Sequence, residues 1–305
     1  MPYIYPTNVI KTSVYLPEPL KDRLAELAQR SGRSEAELLR HAVERLVSRV
    51  DDQDGTRPAA VTVRRTGPLL VGVGVGPSAP DLITERALQV LRSAERIVAA
   101  STGPDAIGRA EAIVRAALPE VVIDRLTIDI GADADGRAAS VAAAAEQLVG
   151  TLDGGEVVAF ITLGDPNVYS IFPALAAEVA ERRGAVPVEV VPGVMAFQEL
   201  AARSHTVIAA EGEQLEVLTM GASGDDLDRL DVALGAPEST VVIYKGAAHL
   251  PAIAERLEAS GRLDGAVLGE LLGLPGERSV PVASASGRRA SYLATVVVPA
   301  ARPTA

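Results

Sequence analysis

Between Leu69 and Arg203, short apolar runs alternate with segments of helical spacing, and this alternation restricts the fold more than any other feature of the chain. Strands are expected at 69–75, 96–100, 120–123, 156–162 and 187–191, and helices near 81–94, 104–117, 137–152, 168–183 and 194–203. A strand that feeds a helix returns as a parallel neighbour, so both faces of the sheet are covered and its strands read as almost unbroken apolar runs. "LLVGVGV" and "VVAFIT" are such runs. After His205 the pattern changes. Strands are expected in "LEVLTM", "STVVIYKG", "GAVLGELLG" and "SYLATVVVP", and helices near 225–234 and 248–260, which reads as a second α/β domain with a mixed sheet. Ligands of open α/β sheets bind beyond the carboxyl ends of the strands, so the cleft between the two domains is the default site.

The first strand carries Gly72, Gly74 and Gly76 on alternate positions, then Pro77 and Pro80. Alternate glycines leave one face of a strand end without side chains, open to close approach by a ligand or by another piece of backbone. A dinucleotide fingerprint fails here, because Pro77 stands where its third glycine belongs and no acidic residue ends a second strand at the required distance. A phosphate-cradling loop fails as well, since no Gly-Lys-Ser/Thr follows. Two further strand ends carry turns that expose backbone: "LGDP" at 163–166 and the Pro-Gly at 192–193. Together the three make one composite mouth.

The chain has no cysteine, which excludes disulfides, thiolate nucleophiles and Cys-ligated metal. His41, His205 and His249 have no metal-type spacing, so no metal site is expected. Neither a secretory leader nor an apolar stretch long enough to span a bilayer is present, so a reducing cytoplasm is the expected compartment and no membrane partner is expected. Net charge is −11 but uneven: residues 1–50 hold eight Lys/Arg and six Asp/Glu, and the remainder holds 21 and 34. The mildly basic first segment tolerates phosphate, whereas the acidic remainder repels a nucleic-acid backbone at long range.

In that first segment "VIKTSVYL" alternates as a short strand ended by Pro17. A helix follows with Leu20, Leu24, Leu27 and Ala28 on one face, stopping at Gly32. Ser34 and Glu37 then form a capping box for a second helix expected to bury Leu38, Leu39, Ala42, Val43, Leu46 and Val47. One strand and two short helices cannot close a core, so the segment needs a partner. Residues 9–48 resemble the ribbon-helix-helix family, in which two chains pair their strands. The resemblance implies a homodimer. It also implies DNA contact through Lys11, Ser13 and Tyr15 on the strand, with Arg33 and Ser34 at a phosphate, although a dimerisation clip without DNA contact is an open alternative.

The joint pattern of the strand-end turns from about 69 to 298 resembles the tetrapyrrole methylase family. The later segments look most like its precorrin-2 C-20 methyltransferase branch, in cobalamin synthesis. Four segments are expected: a ribbon-helix-helix at 1–50, a linker at 51–67, and the methylase α/β domains at 68–205 and 206–305. What the resemblance implies is methyl transfer from S-adenosylmethionine to a tetrapyrrole or corrinoid precursor. The donor pocket would then comprise Leu163, Gly164, Asp165, Tyr169, Ser170, Met195, Ala196, Leu218, Thr219, Met220, Lys245, Gly246, Ala294 and Thr295. Gly72, Gly74, Gly76 and Pro77 would form a bare wall for the macrocycle.

No catalytic residue is assigned, because in-line transfer from a sulfonium needs alignment and dehydration more than reactive side chains. A carboxylate in a Gly-Asp-Pro turn usually bonds nearby amides, which is the role expected of Asp165. A polycarboxylate substrate needs local cations, for which Arg64, Arg65, Arg86 and Lys245 are candidates. This chain departs from the family pattern in three places: Ser78 and Ala79 replace a glycine and an acid, Met195 and Ala196 replace small hydroxyl residues, and Ala294 replaces a hydroxyl. Three readings stand. The chain is a working methyltransferase, a DNA-binding regulator whose methylase-like body senses S-adenosylmethionine or a corrinoid, or an assembly in which neither site functions.

Overall fold

The computed structural model describes Val14 and residues 16–31, 34–40, 42–43, 67–103, 105–129, 133–184, 186–220, 225–287, 289–291 and 293–302. The chain divides into two compact units, Met1–Ala60 and Val61–Ala305.

In the first unit, α1 spans Glu18–Ser31 and starts at Pro17, whose carbonyl accepts from the amides of Leu20 and Lys21. Ser34 opens a second helical run at 35–40. Its hydroxyl accepts from the Glu37 amide, and the Glu37 carboxylate accepts from the Ser34 amide at 2.9 Å, which is the capping box the spacing predicts. Lys21 and Glu35 tie the two helices together by an ion pair. Of the six residues expected to be buried by the second helix, Leu38 is buried and Leu39 half-buried, while Ala42 and Val43 are exposed and Leu46 and Val47 lie outside the described residues. Leu20 and Leu27 on α1 are exposed too. A segment this short has too little apolar area to bury these side chains within one copy.

The second unit contains two five-stranded sheets. The first has the order β3-β2-β4-β1-β5, all parallel. It comprises β1 (Leu69–Gly74), β2 (Arg96–Ser101), β3 (Ile123–Thr127), β4 (Val157–Thr162) and β5 (Val188–Val191). Helices α2 (Glu85–Ser93), α3 (Arg109–Ala117), α4 (Ala134–Asp153), α5 (Phe172–Arg183) and α6 (Ala196–Ser204) follow the strands in turn. Residues 69, 71 and 73 of β1 enter one core with α2 and α3, and Leu70 enters the other with α4 and α5. The second sheet, β6-β7-β10-β8-β9, is mixed: β6 (Gln214–Thr219) runs parallel to β7 (Ser239–Tyr244), and the other pairs are antiparallel. Its remaining strands are β8 (Val267–Glu270), β9 (Arg278–Pro281) and β10 (Thr295–Val298). Helices α7 (Asp225–Leu234) and α8 (Leu250–Ala259) cover one face, while Phe197 and Leu200 of α6 pack with Val242 and Val297 on the other. α6 therefore links the two sheets.

Several boundaries differ from the sequence reading. A strand is expected at 120–123, but β3 spans Ile123–Thr127, and its Asp124 and Arg125 are matched by Arg96 at 2.6 Å and by Glu111. The helices expected from near 81 and 168 begin at Glu85 and Phe172, and β9 has no counterpart among the expected strands. The helix expected from 104 begins only at Arg109, and the segment before it is loop.

The glycine face of β1 is occupied by protein, which corrects the expectation of a bare wall. A Cβ on Gly72 would lie 2.5 Å from the Phe172 ring, which packs against Phe160 with centroids 6.0 Å apart. A Cβ on Gly74 would meet the Gly164 carbonyl at 2.5 Å and the Gly193 amide at 2.6 Å. Gly76, at φ +79°, pairs with Gly164 in an isolated bridge. The glycines are small so that three strand-end turns can cross. Asp165 fastens the crossing: its carboxylate accepts from the Asn167 amide at 2.8 Å and the Gly193 amide at 3.1 Å, the amide-bonding role expected of it.

Glu111 is fully buried and accepts from Arg115 and from both ends of the Arg125 fork, each at 2.8 Å. Burial pushes its carboxyl up, but the hydrogen bonds from Arg125 and Arg115 outweigh this and hold it below the usual carboxylate range. Its stabilisation is thus complete above the unfolded pKa and lost as pH falls through the depressed native value.

Two outcomes are expected from these contacts. Glu111→Gln should cost about 2 kcal/mol at neutral pH and flatten part of the acid-side loss of stability, as read by urea unfolding across that range. Gly193→Ala would bring a Cβ to 2.1 Å from the Gly164 carbonyl. That overpacking of backbone on backbone should lower stability by about 3 kcal/mol in thermal or urea unfolding.

Candidate functional site

Beside the crossing turns, within the second unit, a cavity of about 700 Å³ opens between the carboxyl ends of the first sheet's strands and the second sheet. Each turn contributes wall. From the first comes Pro77; from the second, Leu163, Gly164, Tyr169 and Ser170; from the third, Met195 and Ala196. The second sheet supplies Thr219, Met220, Lys245, Ala294 and Thr295. Of the expected donor-pocket residues, Asp165, Leu218 and Gly246 do not line the cavity. Asp165 is engaged by amides behind the turn, Leu218 packs against the second sheet's core, and a Cβ on Gly246 would meet Ile253 at 2.7 Å. Of the expected substrate-wall residues, Gly72, Gly74 and Gly76 are likewise absent from the lining.

Lys11, Ser13, Tyr15 and Arg33 lie outside the described residues, as do the candidate cations Arg64 and Arg65. Ser34 is described and serves as the helix cap. Arg86 is exposed and away from the cavity, whereas Lys245 lines it.

Several wall residues were not anticipated: Ala100–Thr102 at the end of β2, Ala106–Ala110, Arg137, Tyr244, Leu271, Leu272 and Leu293. The strand-end rule offered a signal for the first group, since β2 lies beside β4 in the sheet and ends at the same edge. No local pattern marks the others.

The aromatic wall is held in place. The Tyr169 hydroxyl donates to the Val217 carbonyl at 2.6 Å, and its ring meets Tyr244 edge-on at 6.3 Å between centroids. The Tyr244 hydroxyl accepts from the Phe197 amide at 3.3 Å. Burial, partly offset by that amide and reinforced by Tyr169, pushes the Tyr244 phenol up to about 12, so it stays neutral and keeps its proton to donate. Among the described residues, four non-glycine positions have positive φ, and three of them, Tyr169 (51°), Lys245 (59°) and Leu271 (51°), line the cavity. Such conformations cost about 1–3 kcal/mol each and persist where the surroundings enforce them.

The charge of the lining is opposite to that of the chain. Among the described residues, Arg109, Arg137 and Lys245 are on the wall and no Asp or Glu is, although the protein carries −11. The cavity therefore favours an anionic ligand with substantial apolar surface. Among the described residues there is no cluster of three metal-ligating side chains, and no helix is long and apolar enough to cross a membrane.

Comparison with known proteins agrees with this architecture. Residues 10–50 match the profile of ribbon-helix-helix proteins of the copG family. The chain is 30% identical over 238 residues to a precorrin-2 C(20)-methyltransferase from Sinorhizobium sp., covering 75% of this chain and 94% of that protein. It is 31% identical over 212 residues to a cobalt-precorrin-2 C(20)-methyltransferase from Salmonella typhimurium, covering 68% and 86%. Among solved structures, a cobalt precorrin-4 methyltransferase superposes with a TM-score of 0.55 at 20% identity, over 82% of this chain and all of that one. A uroporphyrin III C-methyltransferase from Thermus thermophilus gives 0.54 at 20% identity, over 75% and 91%. These two establish likeness of fold. With residues 69–286 matching the family profile, the chain belongs to the Tetrapyrrole (Corrin/Porphyrin) Methylases.

Proposed function

We propose that this protein is an S-adenosylmethionine-dependent methyltransferase acting on a tetrapyrrole or corrinoid precursor, with C-20 of precorrin-2 as the favoured target. The observation that carries the reading is the convergence of the "LGDP" turn, the Pro-Gly turn and the ends of β6, β7 and β10 on one cavity of mixed apolar and cationic lining. The two 30–31% identical relatives, both named as C(20)-methyltransferases, support the choice of target.

When bound, the donor supplies an electrophilic methyl group on a sulfonium. The chain's part is to hold and to dehydrate. Gly164, Thr219, Met220, Ala294 and Thr295 would enclose the adenosyl group, with Tyr244 donating its hydroxyl proton to an acceptor atom of the ligand. Met195 seats its thioether beside Gly164, where a Cβ would come within 3.5 Å of the sulfur. Exclusion of water by the aliphatic lining keeps the developing charge from being solvated. With no carboxylate or imidazole on the wall, catalysis rests on alignment.

A second reading is supported by the copG-family match and by the Ser34–Glu37 capping box: the amino-terminal segment dimerises and binds DNA, and the methylase body acts as its sensor. Cytoplasmic residence belongs to either reading.

Titration calorimetry should give one S-adenosylmethionine or S-adenosylhomocysteine per chain, and incubation with precorrin-2 should add one methyl mass at C-20. Absence of donor binding overturns the methyltransferase, and absence of both donor and corrinoid binding overturns the sensor as well; donor binding without turnover of any tetrapyrrole selects the sensor. Gly164 sits at φ +68°, a conformation that strains any residue with a Cβ even though the added atom itself would meet only Met195 at 3.5 Å. Gly164→Val should weaken donor binding by at least about tenfold. For the amino-terminal segment, Lys11→Ala and Tyr15→Ala should abolish a salt-sensitive DNA mobility shift, and unchanged binding removes the proposed strand contacts.

A further inference from the structure

Resting on the proposed function, we infer that Arg109 is a specificity-determining residue that takes a carboxylate on the rim of the acceptor macrocycle, with Arg137 and Lys245 on the same cavity. Arg109 is the first residue of α3 and part of the cavity wall. Three other arginines of the first sheet's layer are matched: Arg96 bonds Asp124 and Glu156, and Arg115 and Arg125 share Glu111. Arg109 has no hydrogen bond or ion pair to any described residue, and burial alone acts on it, lowering its pKa.

The acidic groups near it are engaged. Glu111, on the same helix, is saturated by two guanidinium groups, and the charge of Asp105 acts on Arg125. A half-buried guanidinium without a counter-charge is costly to keep, and a ligand carboxylate supplies what the fold leaves out. The planar fork also suits a carboxylate, which can accept two parallel bonds from it.

The surroundings define the rest of the ligand. Ile107 is 60% exposed and Val168 37%, and both belong to the lining. An apolar lip beside an unmatched cation fits a flat apolar body with anionic groups at its edge. Arg109 then discriminates by the number and position of those groups.

The test is fluorescence titration of the full chain with a porphyrin octacarboxylate and a porphyrin dicarboxylate. The wild type should bind the octacarboxylate more tightly. Arg109→Gln should weaken that binding about tenfold, the effect of one charge-assisted hydrogen bond, and narrow the gap between the two porphyrins. Its affinity for S-adenosylhomocysteine should stay as in wild type, and its melting temperature should not fall. Arg86→Gln, which removes an exposed cation away from the cavity, should change neither porphyrin affinity. Arg109→Lys, which keeps charge but loses the fork, should recover part of the loss; it also serves if the glutamine variant fails to fold. Wild-type affinity for the octacarboxylate in either Arg109 variant overturns the inference while leaving the proposed function standing. If the wild type binds S-adenosylhomocysteine but neither porphyrin, the acceptor assignment falls and the inference with it.

Discussion

The second unit depends on the contact of three main-chain turns at one point. Gly74, Gly164 and Gly193 approach so closely that a single Cβ on Gly74 or Gly193 would collide with backbone, and one carboxylate, Asp165, joins two of the turns by accepting their amides. Sheet order makes the meeting possible: β4 and β5 flank β1 on either side, so the turns that leave their ends converge above it. Backbone packed on backbone is rigid, because no rotamer change can relieve it. The wall that faces the cavity inherits this rigidity.

On that base the site is built largely without reactive groups. Lysine, arginine and tyrosine are the ionisable side chains on the lining among the described residues, and burial pushes one of the phenols, Tyr244, up to about 12. The site's chemical character lies in its shape, its apolar surface and a positive charge set against an acidic chain. Such a site suits a reaction in which the reagent carries its own driving force and the protein supplies geometry.

Much of this was legible in the sequence. The alternation of strand and helix foretold the first sheet, the apolar runs after His205 foretold four of the second sheet's strands but not β9, and the turns at 163–166 and 192–193 were recognisable because Gly, Pro and Asp have few other uses at strand ends. The meaning of Gly72 and Gly74 was not legible. A bare strand face is the same signal whether a ligand or another main chain fills it, and only the position of Phe172 and of the two other turns decides. Arg109 and Arg137 were missed for a related reason: an arginine in a helix reads as solvated surface until the partners of its neighbours are known. The strand expected at 120–123 stops short of Asp124 and Arg125, whose charges are neutralised by residues distant in sequence.

The immobility of the glycine crossing shifts any adaptation elsewhere. Within this architecture the backbone of the bank formed by the three turns cannot move without breaking the crossing. The opposite bank is made of side chains at Leu271, Leu272, Leu293 and Ala294, borne on loops and a strand start. A change in the size of molecule admitted is therefore written in side chains, and on that far shore Leu271 and Leu293 can be trimmed more freely than Leu272 and Ala294, which also belong to the cores beneath.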